Sequence, residues 1–303
     1  MSRVSRAVTV RAPATSANLG PGFDTLGLAL EQCDEIEATA EFGGPAQPVV
    51  VDVEGVGTDD VPRDERHLVV RAMRAAFAEW GEQPAALRLT CRNTVPHGRG
   101  LGSSAAAIVA GVVAAAELVE PGGLDRQRLL ELAGRLEGHP DNVAACLLGG
   151  LTLAWSDPAG IARATSVDVH AGITPVVCVP PAAVSTETAR GLLPDSVSHH
   201  DAAVNAARAA LLVQALTRQP ELLLVATEDR LHQAYREPAM PATIALVERL
   251  RADGLAAVVS GAGPSVLVLG VGVDVDHVRS HAAAWDVRAL PVRRQGASSV
   301  HTG

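Results

Sequence analysis

Val95-Pro96-His97-Gly98-Arg99-Gly100-Leu101-Gly102-Ser103-Ser104-Ala105-Ala106 is the stretch on which the reading of this chain turns. It stands between a strand-like run, Ala85–Cys91, and the segment Ser103–Leu118, which is almost wholly Ala, Val, Ile and Gly. A segment with no polar face predicts a helix buried on most of its surface. The three glycines let successive N–H groups turn inward, and a helix beginning at the serines adds unpaired amides and a positive dipole end. Such a construction holds an anion. A tight strand-to-helix turn with a serine cap shares part of this pattern. Two serines after three glycines, leading into a helix of small residues, favour a phosphate loop.

Composition narrows the chemistry. The chain has 303 residues, 48% hydrophobic and 19% charged, enough for a large core and more comfortable as two domains than one. A formal charge of −9 and the absence of any basic, aromatic-rich cluster argue against nucleic acid as a partner. No lysine occurs, so all 25 cationic residues are arginine. Walker-type phosphate loops, protein-kinase phosphoryl transfer and Schiff-base catalysis each need a lysine and are excluded. Phosphates would then be held by amides, hydroxyls, a metal ion and Arg99. The four cysteines lie far apart, with no spacing for a metal site, and read as buried thiols of a reducing compartment. Neither a secretory segment nor a membrane span is signalled, so a cytoplasmic protein is expected.

Outward from the loop, Val8–Val10, Val49–Val53 and Leu151–Trp155 read as strands, and His67–Trp80, Leu124–Gly138 and Asn142–Leu148 as helices. Around Ser156–Gly160 the composition turns to Ser, Asp, Pro and Gly, which predicts a boundary between domains at 1–155 and 156–303. The second half predicts strands at Ile173–Val179, Ala256–Val259, Val266–Leu269 and Val287–Val292. Helices are predicted at Ala202–Leu216, Ala242–Arg251 and Asp274–Trp285. Strands with interposed helices and an antiparallel pair suggest an α+β sandwich. The tail from Gln295 reads as frayed.

The loop resembles the ATP-binding signature of the GHMP kinases, and two further segments match the same superfamily in order along the chain. These are Pro13-Ala14-Thr15-Ser16-Ala17-Asn18-Leu19-Gly20-Pro21-Gly22-Phe23-Asp24 and Ser260-Gly261-Ala262-Gly263-Pro264-Ser265. The first of them is similar to the homoserine kinase family within it. The resemblance spans about the whole chain. It implies an α+β, two-domain fold, with an N-terminal domain like domain 2 of ribosomal protein S5, a C-terminal ferredoxin-like sandwich, and the site between them. It implies an ATP-dependent kinase making O-phospho-L-homoserine from L-homoserine in threonine biosynthesis, with Mg2+ and as a homodimer.

Carried over residue by residue, the resemblance implies ATP binding by Pro96, His97, Gly98, Arg99, Gly100, Leu101, Gly102, Ser103, Ser104, Ala105 and Ala106, with Gly261 and Gly263. Mg2+ wants a carboxylate and a hydroxyl beside phosphate oxygens. Glu131, eight residues before His139, matches the family's metal carboxylate, with Ser104 preferred over Ser103 as the hydroxyl. Glu137 is the rival, on another face of the same predicted helix. Asn142 stands where mevalonate kinases carry a catalytic aspartate. An amide orients but does not take a proton, so proton transfer would come late, toward a phosphate oxygen. Asp141 is either a base or the N-cap of the following helix, the cap being favoured. Asn18 and Asp24 match the ammonium-binding pair, and Arg190 and Arg236 would meet the substrate carboxylate. Thr186 resembles a residue beside the γ-phosphate and hydroxyl, and His139 would help hold the substrate. Where the family writes Glu-Pro-Tyr-Arg, this chain has Gln233-Ala234-Tyr235-Arg236. The adenine pocket is placed no more closely than Val53–Val70 and the buried helix. Asn142 and the paired arginines argue against a mevalonate-type substrate; a nucleotide sensor on the same fold is the alternative of another class.

Overall fold

The computed structural model describes residues 4–123 and 125–301. In its first half, β1 (Val4–Asn18) and β2 (Gly22–Phe42) form a long antiparallel hairpin. β3 (Val50–Gly55), α1 (Leu68–Trp80), β4 (Ala86–Asn93), α2 (Ser103–Val119), α3 (Arg126–Glu137), α4 (Pro140–Leu148), β5 (Leu151–Ser156) and β6 (Ala162–Val167) follow. The second half contains β7 (Val176–Val179), α5 (Thr186–Arg190), α6 (His199–Thr217), α7 (Leu223–Ala226), a 3₁₀ segment at Ala234–Ala239 and α8 (Pro241–Ala252). It ends with β8 (Ala256–Val259), β9 (Val266–Leu269), α9 (Val275–His281), β10 (Asp286–Ala289) and β11 (Ser298–His301).

Two sheets result. Along its main path the first runs β11-β1-β2-β4-β3, all antiparallel except the β3/β4 pair, and β5 and β6 extend it from β2. In the second, antiparallel throughout, the order is β10-β7-β9-β8. That order, with helices between the first and second and between the third and fourth strands, is the split β-α-β-β-α-β arrangement.

In β2 the residues Ile36, Ala38, Ala40 and Phe42 are buried and alternate with more exposed neighbours, the period-two signature of a sheet covered on one face. α2 lies inside that cover. Its residues from Ile108 through Leu118 are buried without a break, and a Cβ on Gly111 would come within 2.7 Å of the Val69 carbonyl of α1. Small residues therefore set how closely α1 and α2 approach. A second apolar cluster joins Ala14, Leu28, Val95 and Leu101 from the first half to Val177, Leu212, Val258 and Leu267 from the second. The two sheets are thus welded at their base, and a cleft opens above the weld.

Three expectations need correction. β6 pairs with β5, so the first sheet runs past residue 155, to Val167. The tail from Gln295 is not frayed over its described length: Ser298–His301 pairs with β1, and Glu117 accepts hydrogen bonds from Ser299 and His301. The helix expected at Asp274–Trp285 ends at His281, while the one expected from Leu124 begins at Arg126, Leu124 itself lying outside the described residues. The tract 22–42 was not read as a strand.

Candidate active site

The glycine loop crosses the mouth of the cleft. Gly98, Gly100 and Gly102 have φ of 62°, 70° and 69°, which only glycine adopts freely. At Gly102 a Cβ would sit 1.9 Å from Thr15 Oγ1, and at Gly100 it would sit 2.2 Å from the Ser260 carbonyl. Thr15 N–H also bonds the Leu101 carbonyl, at 3.0 Å. The loop is therefore wedged between β1 and the turn at 260–265. Ser260 Oγ donates to the Gly100 carbonyl and shares a hydrogen bond with Ser16 Oγ. At the start of α2, among the described residues, no side chain caps the helix, and the first bond of the ladder outside the helix proper is Ala106 N–H to the Gly102 carbonyl. The amides ahead of it have no partner within the helix, and with the helix dipole they suit an anion.

Arg99 lines the cleft, but its guanidinium is bound to backbone and not turned free toward the loop amides. Its guanidinium donates to the carbonyls of His97, Pro180 and Pro181, which ties the loop to the segment after β7. Leu101, Ala105 and Ala106 are buried, so they can offer backbone alone, and their side chains belong to the core.

Glu131 is not at the loop. It pairs with Arg163 at 2.9 Å and accepts from Gln127, on the face of α3 turned toward β6. Glu137, on the last turn, is the carboxylate that reaches the cleft, and Ser104 Oγ donates to its Oε2 at 2.7 Å. The two glutamates are six residues apart, hence on different faces, and the face that meets α2 is that of Glu137. Counting back from His139 points to Glu131, which the structure places against β6 and not at the loop. Burial pushes the Glu137 carboxyl above its ordinary range, against the Ser104 hydrogen bond and the His139 charge. A half-buried carboxylate that is costly to ionise, beside a hydroxyl at the end of a glycine loop, is a donor set that suits a hard divalent cation.

At the start of α4, Asp141 is not the N-cap; His139 holds that position, with Pro140 first in the helix. Asp141 Oδ1 accepts from the Asn142 N–H at 2.7 Å and lies 3.3 Å from His139 Nδ1. That hydrogen bond raises the imidazole above its ordinary pKa. Asn142 Oδ1 accepts from Thr15 Oγ1 at 2.8 Å, which fixes the amide face beneath Gly102. Thr15 was not foreseen.

On the opposite wall, Asn18, Leu19 and Asp24 all have positive φ, an unusual concentration for non-glycine residues. Asn18 Nδ2 donates to the Gly261 carbonyl, and its Oδ1 accepts from the Asp24 N–H. Asp24 forms a two-pronged pair with Arg190, at 2.5 and 3.1 Å. Arg236 is 1% exposed and donates to the Gly261 carbonyl. Burial and the neighbouring Arg190 lower its pKa to about 10, and its Nε has no partner among the described residues. Both guanidinium groups lie over the Phe23 ring, at 5.5 and 5.8 Å, and His232 stacks on that ring. Phe23 was quoted within its motif without a role; it is the platform that holds the two arginines side by side. Asp24 already answers Arg190, so the buried Arg236, which donates to the Gly261 carbonyl, is the cation of the two without a bonded carboxylate among the described residues. Thr186 opens α5 at the cleft edge, exposed, with Arg190 one turn on. Gly263 closes the 260–265 turn against Met240.

Two adjoining hollows of about 700 and 730 Å³ share Ser103 and Ser104. The glycine loop, Asn18, Glu137, Asn142, Arg190 and Arg236 line the first, while Asp24 stands behind its wall on Arg190. Apolar residues line most of the second, among them Ile36, Val61, Pro62, Leu68, Val69 and Ala107, with Asp34, His67 and His97 at its polar points. His67 Nδ1 is buried with no partner among the described residues, and burial lowers its pKa. A flat base with polar edges suits such a slot, on the far side of the serines from the Arg190–Arg236 pair.

Comparison with known proteins agrees with this geometry. Residues 67–150 match the GHMP kinases N terminal domain, and residues 207–284 match the GHMP kinases C terminal domain. A homoserine kinase of Streptomyces avermitilis is 58% identical over 295 residues, 96% of this chain and 95% of that protein. The chain belongs to the homoserine kinase family of the GHMP kinases. A homoserine kinase of Leifsonia xyli is 51% identical over 97% of this chain and 92% of its own length. The crystal structure of homoserine kinase from Cytophaga hutchinsonii superposes with a TM-score of 0.85 at 26% identity, covering 97% of this chain and 98% of that one. The two-domain GHMP kinase fold expected from the motifs is the fold observed. Among the described residues, no helix is long and apolar enough to cross a membrane.

Proposed function

We propose that this member of the homoserine kinase family transfers the γ-phosphoryl group of ATP to the side-chain hydroxyl of L-homoserine. The observation that carries the reading is the pairing of an amide-lined, lysine-free phosphate loop with two arginines stacked on Phe23 at the other end of one cleft.

The nucleoside enters the apolar slot beside α1, and its phosphates meet the Gly98–Ala105 amides. Ser104 and Glu137 would hold Mg2+, which supplies charge neutralisation on the transferred group when bound. The homoserine carboxylate lies between Arg190 and Arg236, and its ammonium takes Asn18 Oδ1 and the Asp24 carboxylate. Asp24 and Arg190 neutralise each other in the free enzyme, and the zwitterionic substrate offers a charge to each. Anchored there, the side chain extends toward Asn142 and Thr186, whose amide and hydroxyl align its oxygen with the phosphate. Asn142 carries no base, so the proton leaves late, to a phosphate oxygen, through a loose transition state. His139, hydrogen-bonded to Asp141, has its pKa raised, which favours the protonated ring beside that site. The protein acts in the cytoplasm, as a homodimer.

The test is initial-rate ADP release with homoserine, serine, threonine, mevalonate and galactose as acceptors, with binding measured in parallel. Turnover confined to homoserine is expected. Turnover confined to another acceptor, or homoserine binding without turnover, contradicts the reading.

A further inference from the structure

Outside the cleft lining, three side chains from two neighbouring elements converge on one point. Asp253 follows the last turn of α8 as its C-cap, and α9 carries His277 and His281 four residues apart, one turn above the other on one face. His277 Nε2 lies 2.6 Å from Asp253 Oδ2, and His281 Nε2 lies 3.2 Å from the same oxygen. One nitrogen from each imidazole and one carboxylate oxygen all lie within 4.8 Å of one another. The two rings meet edge to face at 5.2 Å.

Ligand atoms around a tetrahedral zinc ion with bonds of about 2.0–2.1 Å are about 3.3 Å apart. His281 Nε2 is already at that separation from Asp253 Oδ2, and His277 Nε2, hydrogen-bonded at 2.6 Å, would swing outward by a rotamer change to admit an ion. Their backbones are fixed beforehand. Asp274 caps α9 through the Asp276 and His277 amides, Val278 and Ala282 are buried in the core against α8, and Arg249 donates to the His281 carbonyl. Asp253 and His277 are about half exposed, which leaves solvent to supply the remaining ligand. Two imidazoles and one carboxylate select borderline transition ions over Mg2+ or Ca2+, which prefer all-oxygen sites. Two histidines at i, i+4 on a helix are also the chelating pair of zinc-dependent hydrolases.

We propose that Asp253, His277 and His281 form a surface site for a divalent transition ion, with Zn2+ as its reference occupant, that staples α8 to α9. Bound only by the folded chain, the ion raises stability by mass action and leaves the cleft chemistry alone.

The experiment is titration of the full chain with Zn2+, followed by calorimetry and thermal unfolding, in excess Mg2+ with a non-hydrolysable ATP analogue to keep the cleft's oxygen ligands occupied. One Zn2+ per chain and a raised Tm are expected. H277A and H281A should each weaken binding at least tenfold and abolish the rise in Tm, with kcat unchanged. His277→Gln, which keeps side-chain bulk, should behave as H277A. Visible absorption of the Co2+ complex should lose its nitrogen-ligand intensity in the same variants. Zn2+ binding of equal affinity in H277A and H281A, or no binding to the parent chain, overturns the proposal.

Discussion

Ser104 and Glu137 meet at 2.7 Å, a hydroxyl from the first turn of α2 donating to a carboxylate from the last turn of α3. Two helices adjacent in sequence are thereby joined at the point where the phosphate loop ends. Glu131, on another face of α3, is occupied by Arg163. Glu137→Gln is expected to lower kcat by about 10²–10³, the scale of several kcal/mol of lost transition-state charge stabilisation. Glu131→Gln should leave kcat and Mg2+ dependence unchanged and lower only thermal stability. Steady-state kinetics over a Mg2+ series separates the two.

Burial raises the Glu137 pKa above its ordinary value. A proton therefore binds the folded metal-free enzyme more tightly than the unfolded chain, and this group's contribution to stability falls as pH rises from the ordinary carboxylate range through the raised value. A divalent ion needs the carboxylate ionised and reverses that trend. Mn2+ affinity, read by electron paramagnetic resonance, is expected to decline on acidification with a midpoint above about 4.3, the ordinary glutamate value. Glu137→Gln should remove that limb. An unchanged profile in the variant assigns the limb to another group.

Arg190 is bound through both terminal nitrogens to Asp24, and the same pair is assigned to the substrate's opposite charges. Replacing Arg190 with Ala removes charge-assisted hydrogen bonds of about 1.5–3 kcal/mol, roughly 10- to 150-fold in KM for homoserine. KM for ATP should stay within about twofold. Because Asp24 and Arg190 also partner each other, Asp24→Asn and Arg190→Ala should combine to less than the product of their separate effects. Initial-rate kinetics of the four proteins checks both statements.

Gly102 combines a positive φ with a neighbour that leaves no room for a Cβ, Thr15 Oγ1 at 1.9 Å. Gly102→Ala is expected to shift the loop away from β1, at a conformational cost of about 1–2 kcal/mol, and to loosen the Thr15–Asn142 hydrogen bond. KM for ATP should rise and kcat fall together. The combined change, followed by nucleotide titration and turnover, distinguishes this from Gly81→Ala, where the added carbon meets nothing.

What was legible in the sequence followed from local chemistry. The loop, the buried helix and most strands of the second sheet declare themselves through glycine spacing and unbroken apolar runs, and the motifs bring Asn18, Asn142, Arg190 and Arg236 to one cleft, with Asp24 paired to Arg190. Other features depend on partners distant in sequence. β2 hid because Glu31, Glu35, Glu37 and Glu41 break its apolar run; Glu35 and Glu37 lie on its exposed face and pair with Arg92 of β4. The β11 strand is short and polar, and exists because Glu117 and β1 hold it. Choosing Glu137 over Glu131 required knowing which face of α3 meets α2, and Arg99 looked free for phosphate only until Pro180 and Pro181 were folded against it. The slot proposed for the nucleoside takes Pro62 and His67 from the expected Val53–Val70 region and Ala107 from the buried helix, and adds Asp34 from β2, which local sequence does not bring there.

A crystal structure of the protein with a non-hydrolysable ATP analogue, Mg2+ and L-homoserine tests the assignment most directly. The β- and γ-phosphates should lie on the Gly98–Ala105 amides, with Mg2+ about 2.0–2.1 Å from Glu137 and Ser104 and the amino-acid carboxylate between Arg190 and Arg236. Phosphates seated elsewhere, or a homoserine carboxylate away from both arginines, would contradict it.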